Sequence, residues 1–244
     1  MKSILITGAS SGIGKTTAEA FLEQGWTVGM IARRGEVLMD VAKRNKHAVA
    51  LPVDVTDAAG MKAAVERFVS FTGRIDVLFN NAGTFGPSGE IDGVDLDEFD
   101  HVLNVNVRGM FIAAQLAYAQ MKSQNPKGGR IINNGSLSAH SPRPGSVCYT
   151  TSKHAITGLT RSLALDGRAH DITTSQIDIG NARTEMVADL NARAQAENPD
   201  AEVMPSMDPQ DAARLVLHMA ELPAEANVQF MTVMASKMPF MGRG

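Results

Sequence analysis

A single cysteine, Cys148, is all the thiol the chain carries, which excludes an intramolecular disulfide and any zinc site built on several cysteines. The six histidines show no H-x-x-x-H or comparable ligand spacing, so no metal site is expected. No apolar run approaches the roughly 20 residues that cross a bilayer. The N-terminus enters the strand-like Ile4-Leu5-Ile6 directly, without the apolar core of a signal peptide. A formal net charge of −3 gives no reason to expect nucleic acid or an anionic membrane as a partner. Repeats, low-complexity tracts and Pro/Gly-rich linkers are also missing. With 44% hydrophobic and 20% charged residues, the expectation is a cytoplasmic globular protein of one domain, residues 1–244.

What is there is an alternation. Short apolar runs at 4–7, 27–32, 48–53, 75–80, 130–134, 172–177 and 228–234 read as strands, with helical patterns between them at 13–23, 36–45, 58–71, 99–122, 147–168 and 209–221. Strands separated by helices pair in parallel through right-handed crossovers, which predicts a doubly wound α/β sheet of about seven strands with helices on both faces. Such sheets bind ligands beyond the carboxyl ends of their strands. Residues 184–207, polar and alanine-rich with Pro199 and Pro205, read as an irregular insertion that covers the substrate.

Two stretches carry chemistry. In Tyr149-Thr150-Thr151-Ser152-Lys153, helical spacing puts an ammonium beside a phenol on one face. An unperturbed tyrosine, with a pKa of about 10, carries protons poorly at neutral pH, and a neighbouring cation favours the phenolate. Reaching the range where acid/base catalysis works takes about 4 kcal/mol of differential stabilisation. Taken alone, the pair reads first as a solvated helix face. The second stretch, Thr7-Gly8-Ala9-Ser10-Ser11-Gly12-Ile13-Gly14, follows the first strand and opens a helix, a place suited to phosphate. Lys15-Thr16 raises a P-loop as a rival, but five residues rather than four separate Gly8 from Gly14.

Together with Asn80-Asn81-Ala82-Gly83 and Ser136, these motifs resemble the short-chain dehydrogenase/reductase family, in order over residues 4–184 and on to the last strand. The resemblance implies a Rossmann-type fold and a dinucleotide across the strand ends. Gly8, Ser10, Ser11, Gly12, Ile13 and Gly14 would cradle its pyrophosphate and adenosine ribose. Asp54, followed by Val55, would accept from the adenine amino group, although a lone aspartate there reads first as a helix or turn cap. Asn81, Ala82 and Gly83 would line the riboses, and Gly180 and Thr184 the nicotinamide end. At the end of the second strand Ala32 stands where an acid would hold a ribose 2′-hydroxyl, and Arg33 follows it, favouring NADP over NAD.

The family's catalytic set maps onto Asn106, Ser136, Tyr149 and Lys153, with Asn104 and Ser138 as alternatives. Asn106 would hold a water bound to Lys153, and Lys153 would also bond the nicotinamide ribose. The implied activity interconverts a secondary alcohol and a carbonyl compound, a small-molecule substrate, in a homo-oligomer, dimer or tetramer. A catalytically silent dinucleotide sensor is the alternative, against which the complete set argues. Departures from the family pattern are Gly135 where serine is common, Ile179-Gly180 for Pro-Gly, and Ala235-Ser236-Lys237 for a glycine pair. His140 and Arg143 read as exposed loop residues, and Met231, Met234, Met238 and Met241 as core and subunit contacts.

Overall fold

The structure is a computed structural model, described over residues 2–240. Seven parallel strands form one sheet in the order β3-β2-β1-β4-β5-β6-β7, with ranges β1 Ser3–Thr7, β2 Thr27–Ala32, β3 Ala48–Pro52, β4 Val77–Asn80, β5 Gly129–Asn134, β6 Ile172–Ile179 and β7 Phe230–Val233. The helices are α1 Gly12–Glu23, α2 Gly35–Arg44, α3 Ala58–Thr72, α4 Leu96–Leu103, α5 Met110–Ser123, α6 Val147–Asp166, α7 Glu185–Glu197 and α8 Pro209–Glu221. Period-two alternation divides the strand side chains between two cores. Ile4, Ile6, Val28 and Phe79 face one core with Phe21 of α1 and Val216 of α8. Leu5, Ile31, Leu78 and Ile131 face the other with Phe68 of α3 and Ala113 of α5. Burial on both faces is why these strands read as nearly continuous apolar runs.

Sequence and structure differ in places that have physical reasons. The pattern at 99–122 is not one regular helix: it starts earlier, at Leu96 under an Asp95 cap, and widens at Asn104–Gly109 into a π-helical turn before α5. Residues 75–76 precede β4, and β6 runs on to Ile179, which pairs with Val233. The stretch 184–207 is not irregular throughout, since it begins with α7, capped by the Thr184 hydroxyl on Val187 N–H. Helix α7 has no fully buried residue among those described, so its sequence lacks the apolar period that reveals a helix. The two ends of the 184–207 stretch are tied together: Ala182 bridges to Met207, and Asn181 Nδ2 donates to the Pro205 carbonyl at 3.3 Å.

Near the carboxyl edge of the sheet a buried chain of polar side chains crosses three strands. Asn80 Nδ2 donates to Asn133 Oδ1 at 3.3 Å and to the Met110 carbonyl at 2.7 Å. Asn133 Nδ2 donates to Thr160 Oγ1 at 3.0 Å, and that hydroxyl donates to Gln176 Oε1 at 3.1 Å. Every member is paired, the condition under which buried polar groups rigidify rather than weaken a core. The chain locks α6, which carries Tyr149 and Lys153, onto β5 and β6.

Candidate active site

A cavity of about 550 Å³ runs along the carboxyl ends of the strands. Its lining includes Gly8, Ser10, Ser11, Gly12, Ile13, Arg33, Asp54, Val55, Asn81, Ala82, Gly83, Ser136, Tyr149, Lys153, Gly180 and Thr184. Gly14 lies behind this wall: a Cβ there would stand 2.3 Å from the Gly8 carbonyl oxygen, so Gly14 permits α1 to seat on its own loop. The loop needs glycine at Gly8 and Gly12 for backbone reasons, with φ of 69° and 50°.

Three strand ends are bolted together under the cavity. Thr7 Oγ1 accepts the N–H groups of Asn81 and Ala82, both at 2.9 Å. Asn81 Nδ2 donates to the Thr7 carbonyl at 3.0 Å, and Asn134 Nδ2 donates to Asn81 Oδ1 at 2.8 Å. Thr7 and Asn134 escaped the sequence reading as site residues. Their signal was position, since each ends its strand.

The catalytic candidates meet on one wall. Lys153, 3% exposed, donates from Nζ to the Asn134 carbonyl at 2.8 Å and lies 5.4 Å from the centroid of the Tyr149 ring. Phe85 packs against the Tyr149 ring, the two centroids 4.8 Å apart. Ser136 Oγ accepts the Ser138 N–H at 3.1 Å at the head of the 3₁₀ turn Leu137–Ala139. Ser138 lines the cavity as well.

Asn106 sits in the π-helical turn, a geometry frequent at functional sites, yet it is fully buried. Its Nδ2 donates to the Thr84 carbonyl at 2.8 Å and to Ser152 Oγ at 3.0 Å, and its Oδ1 accepts the Thr84 N–H at 2.8 Å. Ser152 Oγ in turn donates to the Tyr149 carbonyl at 2.7 Å. The alternative, Asn104, faces Arg108 at 3.4 Å instead. Cys148 is buried, and burial, with Glu98 adding to it, raises its thiol above the ordinary value, the mark of a packing residue.

At the opposite end of the cavity Arg33 Nη1 lies 4.0 Å from Asp54 Oδ2. Arg34, which the sequence reading passed over, donates from Nε to Ser10 Oγ at 3.2 Å and lies 3.5 Å from Glu185 at the start of α7. Partial burial pushes the Asp54 carboxyl up, but hydrogen bonds from Thr56 together with Arg33 and His101 outweigh it and hold the carboxyl below the usual aspartate value. The N-cap of α1, Ser11, makes no side-chain cap bond, so the first-turn N–H groups are left for a ligand. A free helix N-terminus with two guanidinium groups beyond it fits a dinucleotide phosphate chain.

Of the two loop residues, His140 is exposed as expected and also engaged, its Nε2 donating to Asp178 Oδ2 at 2.7 Å, whereas Arg143 is partly buried in the cavity wall, Nη1 lying 3.3 Å from Met204 Sδ. Met238 packs with Leu137 and Ala235 and also lines the cavity; Met241 lies outside the described residues. Among the described residues no group of three or more His, Cys, Asp or Glu is placed to hold a metal ion, and no helix is long and apolar enough to cross a membrane.

Fold and site together define a nicotinamide-dinucleotide oxidoreductase. Residues 2–195 match the short chain dehydrogenase family, and the chain belongs to it. Among curated relatives, it is 36% identical over 202 residues to the A-factor type gamma-butyrolactone 1'-reductase (1S-forming) of Streptomyces virginiae, covering 81% of this chain and 77% of the relative. Among solved structures, the 3-ketoacyl-(acyl-carrier-protein) reductase of Brucella melitensis, complexed with NADH, superposes with a TM-score of 0.86 at 26% identity, covering 96% and 97% of the two chains. ElxO with NADP bound gives 0.84 at 25% identity, covering 95% and 96%.

Proposed function

We propose that the protein is an NADP(H)-preferring reductase or dehydrogenase that interconverts a secondary alcohol and a carbonyl compound. The observation that carries the reading is the placement of Ser136, Tyr149 and Lys153 on one wall of a cavity whose other end holds Arg33 and Arg34. Bound there, the nicotinamide would supply or accept hydride. In the reducing direction the Tyr149 hydroxyl gives its proton to the substrate oxygen. Ser136 Oγ already accepts from Ser138, so its own proton is free to point at the same oxygen. Lys153 keeps a positive charge beside the phenol as that proton leaves, a preorganised stabilisation that needs no solvent rearrangement.

The side-chain amide of Asn106 is engaged by Thr84 and Ser152 and sets the start of α6 under Tyr149, so a water on Lys153 would donate to the backbone carbonyl of Asn106 in the π-helical turn. The names of the Streptomyces and Brucella relatives support reduction of a carbonyl. Exposed Phe111 and Leu165 on α5 and α6 support a homo-oligomer.

The test is a panel of ketones, sugars, acyl thioesters and steroids assayed by absorbance with NADPH and NADH, followed by Tyr149→Phe on the best compound. Loss of the hydroxyl should slow turnover by about 10²–10⁴-fold, as for other general acid/base catalysts, with cofactor affinity by fluorescence little changed. A Tyr149→Phe protein at full rate removes Tyr149 from the chemistry, and a wild type that turns over none of the panel leaves the sensor.

A further inference from the structure

Asp178, the penultimate residue of β6, is 1% exposed. A buried carboxylate is expensive unless donors surround it, and here they do. Oδ1 accepts the Ser136 backbone N–H at 2.9 Å and Gln176 Nε2 at 2.7 Å, and Oδ2 accepts His140 Nε2 at 2.7 Å. Its contacts through Ser136 and His140 bracket one piece of chain, the turn Leu137–Ala139. Gly135 stands just before it, where a Cβ would lie 1.9 Å from Asp178 Oδ1. Glycine at 135 thus leaves the room that the carboxylate fills, which accounts for the missing family serine.

We propose that Asp178 is a positioning residue that clamps both ends of the 136–140 turn and thereby aims the Ser136 hydroxyl at the substrate oxygen. Gly135 provides its space and His140 its outer partner. The physical reason for a carboxylate is that charge-assisted bonds from N–H donors are shorter and stronger than neutral ones. An asparagine of the same shape keeps one acceptor oxygen for the Ser136 N–H and turns an amide toward His140, whereas alanine frees the turn. The proposal rests on the reading of Ser136 as the group that polarises the substrate oxygen.

The experiment is a double-mutant cycle on the panel's best-reduced carbonyl with NADPH, comparing Ser136→Ala, Asp178→Ala, the double variant, Asp178→Asn and His140→Ala. Ser136→Ala should lower kcat by about 10²–10³-fold, as for removal of an oxyanion donor. Asp178→Ala should lower it by about 10–10²-fold, the scale of a misplaced catalytic group, with NADPH affinity retained. The double variant should be no slower than Ser136→Ala alone, because coupled residues are not additive, and Asp178→Asn should recover most of the rate.

An Asp178→Ala change that slows the Ser136→Ala enzyme as much as the wild type, or weakens NADPH in step with kcat, reduces Asp178 to a general structural residue and overturns the proposal. If Asp178→Ala does not fold, His140→Ala on the surface decides. It should slow the wild type and leave Ser136→Ala unaltered; a His140→Ala enzyme at full rate overturns the clamp. The underlying reading fails differently: a wild type that reduces nothing, or a Ser136→Ala enzyme at full rate, removes the role of Ser136 and the inference with it.

Discussion

In the proposed site, Arg33 and Arg34 would decide between two nearly identical dinucleotides through one phosphate. Losing a hydrogen bond to a charged group costs about 1.5–3 kcal/mol, so Arg33→Ala should weaken NADPH by about tenfold or more and leave NADH unchanged when both are titrated into both proteins. Equal losses, or tighter wild-type binding of NADH, contradict the preference. Lys153→Met should differ from Tyr149→Phe by harming cofactor binding and rate together, since the lysine serves the nicotinamide ribose as well as the phenol in the proposed site. Arg33 was legible because it stands at a strand end beside an alanine where an acid is usual. Arg34 was not, because its setting depends on Ser10 and Glu185, 24 and 151 positions away in the sequence (34 − 10 and 185 − 34). Asp178 was invisible for the same reason: only folding brings it under Gly135.

Between elements, the polar chain through Asn80, Asn133, Thr160 and Gln176 sets how α6 meets the sheet. Thr160→Val keeps the shape and removes the hydroxyl, leaving Asn133 Nδ2 without this partner and Gln176 Oε1 likewise. Each orphaned buried group costs about 1–3 kcal/mol, so the denaturant midpoint should fall with an unchanged slope. A midpoint equal to the wild type would mean that the chain contributes nothing net. Strands and packed helices were readable because burial on a regular lattice writes a period into the sequence. Helix α7 writes none, being described without a fully buried residue, and the π-helical turn at Asn104–Gly109 breaks a period that otherwise continues through it.

At the scale of the whole molecule, one flank of the sheet carries Phe111 on α5 and Leu165 on α6, both exposed, and the edge strand β7 exposes Phe230. Apolar surface of this kind is what an oligomer, dimer or tetramer, would cover, and light scattering at micromolar concentration should give a multiple of the 26.0 kDa chain mass. A single monomer mass removes that expectation. Thr184 connects the two halves of the cavity: it begins α7, and its Cγ2 lies 3.1 Å from where a Gly12 Cβ would be. One residue therefore borders the glycine loop and caps the helix that would cover the substrate in the proposed site. A dinucleotide arriving after that helix has settled over a substrate would have to pass beneath its capped end, whereas one arriving first meets an open slot. The steady-state signature of this asymmetry is a compulsory order, cofactor on first and off last, in which the oxidised cofactor inhibits competitively against the reduced one and non-competitively against the carbonyl compound.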